Sequence, residues 1–121
     1  MATLLVNTGR AIITNRLNSG GTIPQYVGWG TGAGTTGATD TTLFTEVLPR
    51  TSGTVSQVTT STTNDTFQVV GTLTEASGAT FTNAGLFDAS TSGNLFVKGD
   101  FTGIALNTGD SIQFTFKVQF S

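Results

Sequence analysis

The chain has 121 residues, 36% of them hydrophobic, with a formal net charge of -2 and neither cysteine nor histidine. That length suits one core, because domains usually run to roughly 100–150 residues and two cores would each be too small. Charged residues make up only 10%, and five scattered cations, Arg10, Arg16, Arg50, Lys98 and Lys117, cannot neutralise a row of phosphates, so nucleic acid is not an expected partner.

Taken in chain order, residues 7–17 predict one short helix, with Ile12, Ile13, Arg16 and Leu17 at i, i+1, i+4 and i+5 and with Asn7 or Thr8 as its cap. Residues 25–29 read as a strand. Residues 30–39 form a Gly/Thr-rich loop too poor in apolar side chains to pack, and Asp40-Thr41-Thr42 is expected to cap one turn that carries Leu43 and Phe44 into the core. Strands follow at 54–60, 66–74 and 79–87, bounded by turn residues at 61–65, 77–78 and 90–93. Residues 94–101 offer another strand, 103–106 a connection, and Asn107-Thr108-Gly109-Asp110 a turn.

The clearest pattern closes the chain. Ile112, Phe114, Phe116, Val118 and Phe120 alternate with Gln113, Thr115, Lys117 and Gln119, which predicts a strand with those five apolar residues facing the core. Its expected partner is the 94–101 strand, as a hairpin or near neighbour. Threonine, about a fifth of the residues, favours pleated surfaces over helix interiors. The expected fold is therefore all-β: an antiparallel β-sandwich, jelly-roll-like, with one short N-terminal helix, in a single domain spanning 1–121.

Chemistry-bearing residues are sparse. Gly32-Ala33-Gly34-Thr35-Thr36-Gly37 spells a dinucleotide fingerprint, but no long helix follows to hold a pyrophosphate and no acidic residue stands about 20 positions on. Asp40, Glu46, Asp65, Glu75, Asp88, Asp100 and Asp110 fall mostly at turns, where a carboxylate initiates chain reversal. Without His or Cys the usual general base, thiol nucleophile and imidazole ligand are missing, so no catalytic residue, no cofactor and no metal is expected. Leu4-Leu5-Val6, with no basic residue before it, is too short for a signal peptide or a membrane span, which implies synthesis in the cytoplasm and no membrane partner. A surface covered by Thr, Ser and Asn, with little charge repulsion, suits a permanent assembly, and fits a secreted or merely Thr-rich domain as well. Tyr26 and Trp29, beside Gly30, Gly32, Gly34 and Gly37, are the candidate contact patch, with the glycine loop or the ends of the chain ordering on docking; Trp29 capping the core is the competing reading.

Three stretches carry a family resemblance: Asn7-Thr8-Gly9 running to Leu17; Tyr26-Val27-Gly28-Trp29-Gly30-Thr31-Gly32 with residues 40–46 and Arg50; and Asn83-Ala84-Gly85-Leu86-Phe87-Asp88 leading into the final strands. Together they resemble a type of small tailed-bacteriophage structural protein, found as capsid decoration (cement) proteins and as β-domains of tail-fibre or baseplate components. The resemblance implies a virion structural protein and not an enzyme. Its implied partners are the major capsid protein of the phage head and further copies of itself, in a homo-oligomer expected to be a trimer. The implied location is the capsid surface of the virion, after synthesis in the host bacterial cytoplasm. Many fibre proteins carry such a unit inside a longer chain with a trimeric stalk, and a unit standing alone from Met1 is expected to be a decoration protein. A tail-fibre, neck or baseplate role stays open as an alternative, and more remotely a carbohydrate-binding module.

Overall fold

The computed structural model describes residues 3–120. Its elements are β1 (Thr3–Leu5), α1 (Asn7–Leu17), β2 (Tyr26–Gly30), β3 (Glu46–Ser52), β4 (Thr54–Val58), β5 (Thr66–Thr74), β6 (Ala79–Phe87), β7 (Leu95–Leu106) and β8 (Ser111–Gln119). They build a five-stranded sheet in the order β1-β7-β6-β2-β3 and a three-stranded sheet in the order β4-β5-β8. Every neighbouring pair is antiparallel. The chain is an all-β, sandwich-like fold with one N-terminal helix, as its patterning predicts.

The two sheets share a core to which both contribute large apolar side chains, Trp29, Phe81 and Phe96 from one and Phe67, Val69 and Phe116 from the other. Trp29 on β2 stacks on Phe81 of β6, ring centroids 3.6 Å apart, and meets Phe114 of β8 edge-on. Phe67 of β5 meets Phe96 of β7 edge-on at 5.9 Å. A smaller cluster of Val6, Leu43, Phe87 and Leu95 lies beside this core, with Tyr26 packed against it. Leu43 is buried as expected, but without the helical turn predicted around it, because the Asp40 carboxylate bonds Gly37 N–H and Lys98 instead.

Several boundaries and pairings differ from the sequence reading for identifiable reasons. β7 runs through Gly103 to Leu106, since Phe81, Thr80 and Ala79 of β6 pair with Ile104, Ala105 and Leu106. β8 does not pair with β7; it crosses to the other sheet and pairs with β5 from Thr66↔Gln119 to Thr74↔Ser111. Phe116 is buried, and Ile112, Phe114 and Val118 are partly buried against the core. Phe120 lies past the last strand residue and is 51% exposed, so the alternation outruns the sheet. β3, unpredicted, is an edge strand, where its Pro49 lacks nothing the sheet requires.

The helix begins differently too. Its cap is Val6, with no side-chain bond, and the Val6 carbonyl accepts from Gly9 and Arg10 N–H. Asn7 and Thr8 are not caps: Asn7 N–H donates to Ala38 O, and the Thr8 hydroxyl donates to Leu95 O, tying α1 to the loop and to β7. Gly9 faces the β7 backbone at Phe96 O so closely that a Cβ would collide with it.

Candidate binding surface

The residues expected to form a contact patch are mostly interior. Trp29 is 2% exposed within the aromatic core, so it cannot anchor a surface contact; the competing reading of it is the correct one. Tyr26 is half-buried and Gly30 buried. Gly32 and Gly37 are intermediate, leaving Gly34 as the exposed glycine of the set.

The glycine loop is tied down along its length rather than left loose. Thr31 and Gly32 N–H donate to Thr45 and Phe44 carbonyls, the Thr82 hydroxyl donates to Gly32 O, and Thr36 N–H donates to Asp100. The absence of side chains at Gly30 and Gly32 allows the Phe44–Thr45 backbone to approach. The fingerprint Gly32-Ala33-Gly34-Thr35-Thr36-Gly37 leads into a turn and then β3, with no helix N-terminus to receive a phosphate.

A buried cation secures the end of this loop. Lys98 of β7 is fully buried, its Nζ 2.9 Å from Asp40 Oδ2 and 3.3 Å above the Phe44 ring. The Gly37 N–H and then Lys98 hold the Asp40 carboxyl below its ordinary value. On the opposite edge Arg50 makes a bidentate pair with Glu46, lies over Phe87, and donates to the Ala89 and Ser92 carbonyls, which fastens β3 to the β6–β7 turn.

The other carboxylates also bind backbone. Asp65 accepts from Thr62, Thr60 and Ser61 N–H and from the Thr66 hydroxyl, which hold it well below the usual carboxylate range. Asp88 closes the β6–β7 turn through Asn94, and Asp110 accepts from Asn107 N–H. Glu75 accepts from Ala76 and Ser77 N–H. These side chains are occupied with shaping turns.

The surface that stands out is apolar, and the sequence reading missed it. Ile12 and Ile13 of α1 form one wall of a groove of about 330 Å3, Ile23 and Pro24 the segment beyond the helix, and Phe67 and Phe96 its inner side. Around the opening stand Leu17, 81% exposed, Ile23, 40% exposed, and Phe120. Arg16 supplies the only charge in the lining. These residues come from separate segments of the chain, so no local period announces the groove. Among the described residues no helix is long and apolar enough to cross a membrane. Compared with known family models, curated proteins and solved structures, the chain matches none of them.

Proposed function

We propose that this chain is a virion structural protein that decorates the outer surface of an assembled phage head, seating on the major capsid protein and stabilising the shell as a homo-oligomer. The observation that carries the reading is the apolar groove beside α1, where Leu17, Ile23 and Phe120 stand exposed together. The resemblance of the three sequence stretches supports the same reading, and so does a charge content of 10%, which lets copies crowd together without strong repulsion.

The size of the groove bears on mechanism. Covering the exposed parts of Leu17, Ile23 and Phe120 yields about 3–5 kcal/mol before any cost of association. One such contact binds weakly. Repeated on a closed lattice and shared by linked copies, it gains roughly 10²–10⁴ in avidity, so the assembled shell is held where an isolated subunit is not.

The test is to mix the purified protein with undecorated heads, isolated capsid subunits and tails, sediment each, and count copies. Hundreds of copies on heads, few on subunits, and loss of binding in a folded Leu17→Asp variant are expected. A handful of copies confined to tails would replace this reading with the tail-fibre, neck or baseplate one.

A further inference from the structure

An open strand edge is a template for another chain, and folded proteins blunt such edges with brevity, proline, bulges or charge. In the five-stranded sheet β1 has three described residues, and β3 carries Pro49 and the Glu46–Arg50 pair. β7, beyond the Gly99 that pairs with Thr3, has Asp100 and a register shift opposite Phe81 and Asn83. In the three-stranded sheet β4 has five residues. β8 carries a single charge and none of the other devices. Its nine residues follow β5 without a register break, contain no proline, and carry Lys117 as their only charge. Among the described residues no strand pairs with its other side.

We propose that β8 pairs through this edge with β8 of a second copy, antiparallel about a two-fold axis at Thr115. A second copy is the occupant the strand itself fits. Pairing about Thr115 matches nine residues to nine, whereas β4 of another copy offers only five. The register sets Ile112 of each copy opposite Val118 of the other and Phe114 opposite Phe116, apolar against apolar. Gln113 falls opposite Lys117, so the two lysines never face each other.

A second observation points to the same side. Between β7 and β8 the sandwich stays open as a cleft of about 310 Å3, with Phe101, Phe114 and Phe116 in its lining. A second β8 laid along the first extends the three-stranded sheet to six strands and brings its own Phe114 and Phe116 to this cleft. The assembly is a pair, where the family resemblance implies a trimer, and it does not depend on what the groove beside α1 binds.

Two substitutions at one exposed residue test the register. Gln113→Lys sets two like-charge pairs against Lys117 across the axis, and Gln113→Glu sets two opposite-charge pairs. Sedimentation equilibrium at low ionic strength should find a dimer of the 12.5 kDa chain. Its dissociation constant should rise about 2- to 30-fold with Lys and fall by a similar factor with Glu. Gln113 points to solvent, so both variants should keep the unfolding midpoint of the wild-type monomer. A monomer, a trimer, or the same constant for both variants overturns the β8 pairing. A trimer, or the same constant for both variants, leaves sedimentation with heads through the groove unchanged, and loss of head binding by Leu17→Asp leaves the β8 pairing unchanged, so the two proposals are told apart.

Discussion

Replacing Asp40 by Asn should destabilise the protein more than replacing Lys98 by Met, although both changes remove the same ion pair. The partners differ in access to water: the Lys98 side chain is 1% exposed and that of Asp40 24%. Asp40→Asn leaves an ammonium buried without the carboxylate at 2.9 Å, a situation that costs about 3–5 kcal/mol. The Phe44 ring at 3.3 Å still faces that ammonium and retains about 2 kcal/mol for a desolvated cation, which places the expected loss near the lower end, about 3 kcal/mol. Lys98→Met leaves no buried charge. The Asp40 carboxylate keeps the Gly37 N–H at 3.0 Å and reaches water, and a thioether packs against the Phe44 ring, so the loss should stay below about 1.5 kcal/mol. Against a total stability of about 5–15 kcal/mol, the difference is measurable by urea denaturation at pH 7. The double variant should lie within about 0.5 kcal/mol of Lys98→Met alone. If Lys98→Met proved the more damaging change, attraction within the pair, rather than desolvation of the lysine, would govern this site and the reasoning would be wrong.

Gly9→Ala offers a test whose sign separates helix propensity from packing. Alanine inside a helix is ordinarily worth up to about 1 kcal/mol over glycine, but here its Cβ meets Phe96 O of β7, so thermal unfolding should show a loss of about 1–3 kcal/mol. A stabilised variant would mean that α1 stands further from β7 than described. The Asp65 carboxyl, held low first by Thr62 N–H and then by Thr60 and Ser61, gives a pH signature. Its folded value lies below the roughly 3.9 of the unfolded chain, so the unfolded state binds more protons as the solution is acidified. The resulting stability is fully present above about pH 5 and is lost as pH falls toward the folded value. Denaturation midpoints from pH 7 to pH 2 should therefore show the gap between wild type and Asp65→Asn closing in acid; a gap constant with pH would refute the assignment.

How much of this was readable beforehand depends on whether a feature has a local period. The bounds of α1, β5 and β6 follow from patterns inside each segment, and the buried face of β8 follows from alternation alone. Alternation reports parity and not the end of a sheet, which is why Phe120 continues the pattern beyond the last β5 partner and emerges into solvent. Gly103 reads as a break, and it does fall in a register shift, but β6 resumes the ladder beyond it at Ile104. The partner of β8 is β5, dozens of residues earlier, whereas turn residues point only to the nearest strand. A loop of Gly and Thr looks unpacked when apolar side chains are the criterion. This one is held by backbone bonds and by a lysine 58 positions away, which no window over the loop contains. The groove is the extreme case. Leu17, Ile23, Phe67, Phe96 and Phe120 become neighbours only after a helix bridges two sheets, and each taken alone reads as ordinary core. A surface composed from separate strands and a helix has no sequence period of its own, so it becomes visible only once the chain is folded.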